Sequence, residues 1–513
     1  MTPSAAAATP EPTLGRRIAF KSLGALLALP LNIVLQAIIP RALGAAAYGD
    51  YSFLSAYFTS VLSFADSGTS QAYFNKLSQR PAESALSAFY ARYAAAIFVT
   101  LGIFIAAAFL SGAAPQLWPD LPLTLVALAA LMAFGNWLIS VFGKAVDANA
   151  LTGFGELATL VTRLVLTICV IVLFVTRMLS VRTFFGLQNL FNFLLVAALI
   201  TILSQRGRAR AFFEPLDSTA TRRYVSEFWD YCHPLLVVSL AVLVTGILDR
   251  WLLQRLAGSI QQGFLGLGLQ VGSVVFIFGG ATASLLGREF ARSHYERDVE
   301  RLRAQFVRHL PRAYSVTAFF GIFLAVQAPS IVQIFGGEQF TKAAPATALL
   351  CLYPLHQVYG QIGASLLYAT DRTKAIRSIS IAGLTFGLGL TIFFIAPAEH
   401  GGLELGALGI ALKMLVHQVA VVNLVLWVNT RYLRIPLVPF LTSQIVIAGS
   451  FGGCALLASA YVSTLGIVPI AGFLLSGTCY TTMVLALAWL LPSAIGFDRE
   501  DIAAVARRLH RSS

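Results

Sequence analysis

Charge is scarce in this chain: Asp, Glu, Lys and Arg make up 12% of 513 residues, about half the roughly 25% usual in soluble domains. That scarcity excludes an ordinary water-soluble globule. Cysteine is equally sparse, five residues in all, and Cys169, Cys232, Cys351, Cys454 and Cys479 fall in or beside apolar stretches without metal-ligand spacing. They read as small core residues, with no disulfide framework and no metal centre. Catalytic signatures are missing too. There is no Walker loop, H-E-x-x-H, G-x-S-x-G or C-x-x-C. Room for an enzyme is also lacking. The longest connections lie near 205–232 and 288–312, so neither a nucleotide-sugar domain nor the large outer loop of a glycan polymerase or ligase finds a place. No cofactor is expected.

What the chain has in abundance is apolar sequence, 57% of all residues. Fourteen apolar stretches can be marked, most near the ~20 residues that cross a bilayer. They are 22–42, 51–74, 88–111, 121–144, 156–176, 183–204, 233–256, 264–287, 313–336, 344–369, 375–397, 405–428, 439–462 and 467–491. None alternates as a barrel strand would, so helices are expected. The expected organisation is a tail at 1–15, disordered by its Ala, Pro and Thr content, and a six-helix lobe at 16–204. A linker at 205–232, a second six-helix lobe at 233–430, two further helices at 431–491 and a tail at 492–513 follow. The apolar stretch after Arg16 and Arg17 is longer than a signal-peptide core, so it reads as the first helix.

Lys and Arg set the orientation. With the N-terminus inside and basic residues near a span end counted with the adjoining turn, 28 of the 36 fall in inner tails and turns. Six (Arg41, Arg177, Arg182, Arg250, Arg255 and Lys342) fall outside, and Arg163 and Lys413 lie within spans. That asymmetry places both termini in the cytoplasm and accounts for the net charge of +13 without nucleic acid. The basic turn from Arg288 to Arg312 puts Tyr295, Val299, Leu302, Phe306 and Leu310 on one helical face. It reads either as an amphipathic helix on the inner membrane surface or as a solvated extension of the eighth span.

One pattern is written twice. Arg41-x-x-Gly44-x-x-x-x-Gly49 returns 214 residues later as Arg255-x-x-Gly258-x-x-x-x-Gly263. Thr59 matches Ser273, Phe64 matches Phe278 and Ser70 matches Ser284 at the same offset. Each copy sits at the first turn of a six-span half, the arrangement of a transporter built from repeats.

Polar groups inside spans are the candidate site residues, because each is costly in lipid unless it faces protein or water. Ser52, Ser55, Thr59, Ser63, Asp66 and Ser70 fall at helical spacing in the second span, repeated by Gly266, Gln270, Ser273, Gly280 and Ser284. Such a stripe is either a cavity wall or a close helix contact. The first span carries Lys21, Asn32 and Gln36 around Pro30, and its counterpart ends in Asp249-Arg250. Arg163 lies two turns inside the fifth span, where Asp66 is a conceivable partner. Lys413 and His417 are one turn apart in the twelfth span, and Tyr353, Gln357, Gln361 and Tyr368 share a side of the tenth. Gln188, Asn189 and Asn192 fall in the sixth. The plain alternatives are interhelical hydrogen bonding for the tenth and sixth spans and for His417, a structural ion pair for Arg163, and snorkelling to the interface for Asp249 and Arg250. If transport is coupled to protons or sodium, Asp66 is the first candidate carboxylate and Asp249 the second.

The Arg41-Ala-Leu-Gly44…Tyr48-Gly49-Asp50-Tyr51 turn, the Phe64-Ala65-Asp66-Ser67-Gly68 patch and Asp249-Arg250 closing the seventh span together carry a resemblance. The chain resembles the polysaccharide and O-antigen flippases of the multidrug/oligosaccharidyl-lipid/polysaccharide exporter superfamily along nearly its whole length. The resemblance implies an all-α membrane protein of about fourteen spans, with two six-helix lobes around a cavity and two added helices. It implies translocation of undecaprenyl-pyrophosphate-linked oligosaccharide across a bacterial plasma membrane for surface polysaccharide synthesis. Membrane lipids and polysaccharide polymerase or export machinery are the implied partners. The chain departs from the family in placing few basic residues deep in the spans, Arg163 and Lys413 being the clear ones, and Arg41, Arg250 and Arg255 are candidates for recruitment to the cavity. A cation-coupled drug or metabolite exporter on the same scaffold is the alternative reading.

Overall fold

The computed structural model describes residues 14–80, 83–204, 212, 214–278 and 280–500, with side chains undescribed at 14–20, 22, 25, 237–238 and 277–285. The described residues are nearly all helical, as the apolar stretches required. In chain order the helices are α1 (Leu14–Asp66), α2 (Thr69–Gln79), α3 (Ser84–Leu110), α4 (Ala114–Leu117), α5 (Leu123–Ala148), α6 (Thr152–Val175), α7 (Val181–Ser204) and α8 (Ser218–Ser273). They continue as α9 (Gly280–Tyr295), α10 (Val299–Val326), α11 (Ala328–Gly336), α12 (Ala344–Ala369), α13 (Thr373–Ile395), α14 (Gly406–Leu433), α15 (Val438–Ser463) and α16 (Pro469–Leu490). Ten described helices are long and apolar enough to cross a membrane, or eleven with the bent pair Ser218–Leu236 and Ser239–Phe276. The tally falls below fourteen partly because α1, of 53 residues, carries two of the expected stretches joined across a break at Gly44.

The repeated glycines break the two longest helices. Gly44 in α1 has φ 76° and ψ 170°, and Gly258 in α8 has φ 79° and ψ 179°. The backbone leaves the helix at the same register in both halves and with the same dihedrals. A positive φ of this kind is open to glycine and costly for other residues.

The chain divides into two compact units. The first comprises the described part of Met1–Leu43 with Asp50–Arg255; the second comprises Gly44–Gly49 with the described part of Leu256–Ser513. In the first unit α5 is the central helix. Val126, Ala129, Ala130, Ala133, Val141 and Ala145 are buried along it. Asn189 Nδ2 on α7 donates to the Leu128 carbonyl at 3.0 Å, and Asn192 Nδ2 donates to Asn136 Oδ1 at 3.0 Å. These two asparagines therefore follow the interhelical reading, stitching α7 to α5.

In the second unit α12 is buried along most of its length, including Leu350, Cys351, Leu355, Val358, Ile362 and Leu366. Gly268 and Gly272 of α8 lie close against it: a Cβ at Gly268 would stand 2.6 Å from Leu350 Cδ1, and one at Gly272 2.5 Å from the Leu350 carbonyl oxygen. The last two helices dock on α10. Tyr480 of α16 stacks on Phe319 and Phe323 with ring centroids 4.9 and 5.1 Å apart, and its hydroxyl donates to the Phe319 carbonyl at 2.9 Å.

Two sequence expectations are corrected here. The basic turn at 288–312 is not one amphipathic helix on a membrane surface. It is a helical hairpin, α9 returning as α10 through Arg297 (φ 57°), with Asp298 Oδ1 capping the second helix by accepting from the Arg301 N–H at 2.9 Å. Leu302, Phe306 and Leu310 are buried, while Tyr295 is 89% exposed and Val299 is 48% exposed, so the five do not share one face. The second span, expected at 51–74, ends at Asp66, because Ser67 (φ 36°) and Gly68 (φ 89°) interrupt it. Ser70 therefore leaves the polar stripe and starts a new helix. Most of the expected tails, residues 1–13 and 501–513, and the side chain of Ser284, lie outside the described residues.

Candidate functional site

A cavity of about 510 Å³ opens between the first half of α1 and α6, lined by Lys21, Gly24, Ala28, Glu156, Thr159, Leu160 and Arg163. Helical spacing builds it on both sides: 21, 24 and 28 share one face of α1, and 156, 159, 160 and 163 share one face of α6. Gly24 makes the approach possible, since a Cβ there would stand 2.9 Å from Glu156 Oε2. Lys21 Nζ pairs with Asp147 Oδ2 at 2.5 Å. Arg163 is exposed and reaches Asn32 Oδ1 at a long 3.5 Å. The guanidinium shares this cavity with the Glu156 carboxylate. Gln36 is half-buried one turn beyond Asn32. The cavity can accommodate a polar or anionic group of substrate.

Asp66 occupies a different place and does not pair with Arg163. Its Oδ1 accepts from the Ser70 N–H at 3.0 Å, the Thr69 hydroxyl at 3.1 Å and the Trp137 indole N–H at 3.0 Å. Its Oδ2 accepts from the Ser70 hydroxyl at 2.9 Å, and Lys144 Nζ donates to that same hydroxyl oxygen at 2.6 Å. The carboxylate thus anchors the start of α2, using acceptor capacity on both oxygens.

The remaining candidates are dispersed. Asp249 is half-buried, and its neighbour Arg250 donates from Nη1 to Ser52 Oγ at 3.1 Å, tying α8 to the polar stripe of α1. Arg41 is exposed, and the guanidinium of Arg255 lies 5.3 Å from the centroid of the Trp251 ring. In the second unit the Tyr353 hydroxyl donates to Gln357 Oε1 at 3.4 Å on its own helix, and Gln361 is exposed one turn on. Lys413 is 8% exposed. His417 Nε2 donates to the Gly383 carbonyl at 3.0 Å, which fixes the imidazole tautomer and makes the histidine a tie between α14 and α13.

Sequence reasoning passed over Glu156, placed at the very edge of the fifth span, and an ionic cluster around Glu227 in the first unit. There Glu227 of α8 accepts from Lys76 Nζ at 2.8 Å and Arg80 Nη2 at 2.7 Å. Glu83 accepts from the Tyr224 hydroxyl at 2.6 Å and pairs with Arg223 and Arg80. The Arg80 hydrogen bond, with Lys76 beside it, lowers the Glu227 carboxyl to about 2. The signal for Glu156 was present: a carboxylate seven residues before Arg163 shares the arginine's side of a helix at roughly two turns. The Glu227 cluster joins residues some 150 apart, and local pattern carries no trace of it.

No family model matches the chain, and no curated protein matches it. Solved structures do. A lipid II flippase, MurJ, in an inward closed conformation covers 92% of this chain and 99% of its own, with a TM-score of 0.63 and 14% identity. An inward-facing multidrug resistance MATE family transporter of the MOP superfamily covers 82% of this chain and 98% of its own, with a TM-score of 0.60 and 14% identity. The fold is that of these membrane transporters.

Proposed function

We propose that this protein is a flippase of the bacterial inner membrane, carrying a lipid-linked oligosaccharide from the inner to the outer leaflet by alternating access. The observation that carries the reading is the extent of the structural likeness. It spans 92% of the chain against the lipid II flippase and 82% against the multidrug resistance MATE family transporter. The exposed Arg163 in its cavity supports an anionic substrate group, as the pyrophosphate of an undecaprenyl carrier would supply. O-antigen and exopolysaccharide precursors are the substrates that the sequence resemblance favours. A substrate biases the two access states only through its differential contacts with them. Net transport then draws on an ion gradient or on consumption of the product.

The second reading is a cation-coupled exporter, supported by the likeness to the MATE transporter at a TM-score of 0.60. Depletion of the protein separates the two. Under the flippase reading, lipid-linked oligosaccharide accumulates on the inner leaflet and surface polysaccharide is lost. Unchanged leaflet distribution together with new drug sensitivity would select the exporter.

A further inference from the structure

The twice-written turn does more than break two helices. In the second unit the two copies touch each other reciprocally. A Cβ added to Gly49 would overlap the Ser259 carbonyl oxygen and stand 2.9 Å from the Gly263 backbone nitrogen. A Cβ added to Gly263 would overlap the Ala45 carbonyl oxygen and stand 3.1 Å from the Ala45 carbonyl carbon. Residues 45 and 259, and residues 49 and 263, are separated by the same 214 positions as the repeat itself. Each copy therefore presses its glycine onto the other's residue four positions earlier, the self-complementary contact of a local two-fold. Small residues four apart on both helices permit this backbone approach. Around it Tyr48 is 4% exposed; its hydroxyl donates to Gln270 Oε1 at 2.5 Å, and its ring meets Phe340 edge-on at 5.9 Å. The same glycine conformation at Gly44 and Gly258 presents both turns.

We propose that Gly49 and Gly263 are positioning residues of transport, forming the outer seal: the two turns lock backbone to backbone when the outer end is shut and part when it opens. The inference rests on the transporter reading for the motion and on the basic-residue asymmetry for the side of the membrane. Its physical content is steric. Alanine at either position cannot enter the closed contact, because what it meets is main chain rather than a flexible side-chain tip. Either single substitution therefore breaks the same contact, and the second adds little, a non-additivity that independent damage does not produce.

The test is external labelling of the full-length protein in intact cells. With Cys169, Cys232, Cys351, Cys454 and Cys479 replaced, Thr59→Cys is introduced. Thr59 is exposed on the same helix as Gly49, ten residues or about 15 Å further inward. A membrane-impermeant maleimide is added outside. Labelling is expected to be slow with both glycines present and to rise about tenfold in Gly49→Ala and in Gly263→Ala, as an overlap of ordinary size requires. The double variant should label no faster than the faster single. Tyr48→Phe removes one hydrogen bond and adds no volume, so it keeps the test open if an alanine variant does not insert. It should raise labelling about threefold, in line with one neutral hydrogen bond. Unchanged labelling in Tyr48→Phe and in inserted alanine variants would overturn the seal, as would single effects that multiply in the double. The readout needs no substrate. Faster labelling combined with a normal leaflet distribution after depletion would therefore uphold the seal while rejecting the flippase reading.

Discussion

Replacing Asp66 by Asn should cost the protein stability before it costs transport. The carboxylate accepts four hydrogen bonds within 3.1 Å, from the Ser70 N–H, the Thr69 and Ser70 hydroxyls and the Trp137 indole. Asn caps helices about as well as Asp, so the Ser70 backbone bond survives. What is lost is charge assistance, about 1 kcal/mol for each bond that becomes neutral. The new Nδ2 must also donate to a Ser70 hydroxyl that already accepts from Lys144. A net loss of about 2 kcal/mol follows. Asp66→Ala removes every acceptor and leaves the Trp137 indole and the Ser70 N–H without partners, for about 3–5 kcal/mol. Thermal unfolding of the purified protein in detergent should rank wild type above Asn above Ala. Transport at matched protein level should persist in the Asn variant. An Asn variant of unchanged stability with transport abolished would refute the capping reasoning and restore Asp66 as the coupling carboxylate expected from sequence.

Arg163→Ala should leave unfolding within about 0.5 kcal/mol of wild type, because surface-like positions without strong partners contribute little and the side chain's bond to Asn32 is 3.5 Å long. Transport of an anionic substrate should fall sharply; retained transport would remove the arginine from the site. Glu227→Gln breaks the charge-assisted bonds to Lys76 and Arg80 and should destabilise by about 1–2 kcal/mol, discounted for a partly exposed, salt-screened group. The sign with pH follows from a folded value of about 2 against an ordinary 4.5. The contribution is complete above pH 4.5 and is lost as pH falls from there through 2. Unfolding midpoints of wild type and Glu227→Gln should therefore converge on acidification, and a constant gap would contradict the assignment.

Much of the fold was legible because lipid leaves a chain few choices, and every apolar stretch could be read as helix. The repeat was legible for a sharper reason. Gly44 and Gly258 mark backbone breaks that few other residues tolerate, and Gly49 and Gly263 mark contacts too close for a side chain. Asp66 was visible as an unusual residue, yet its role was hidden in plain text. Asp66-Ser67-Gly68-Thr69-Ser70 is a turn followed by a helix start, and the apolar residues flanking it suggested one unbroken span. The hairpin at 288–312 misled for a related reason, since periodicity carried across Arg297 counted Tyr295 and Val299 on a face that the turn separates. Lys21 with Asp147, and Glu227 with Lys76 and Arg80, meet across more than 120 positions. Such pairings are set by packing of helices and leave no local period to read.

The most direct test of the central claim is translocation by the purified protein in sealed vesicles. Undecaprenyl-pyrophosphate-linked oligosaccharide is placed in one leaflet, and its appearance in the other is followed with an impermeant glycan-binding probe. Translocation above that of protein-free vesicles, and diminished in Arg163→Ala, is the expected result. Rates equal to protein-free vesicles under both an imposed ion gradient and none, with the protein folded and inserted, would contradict the flippase reading.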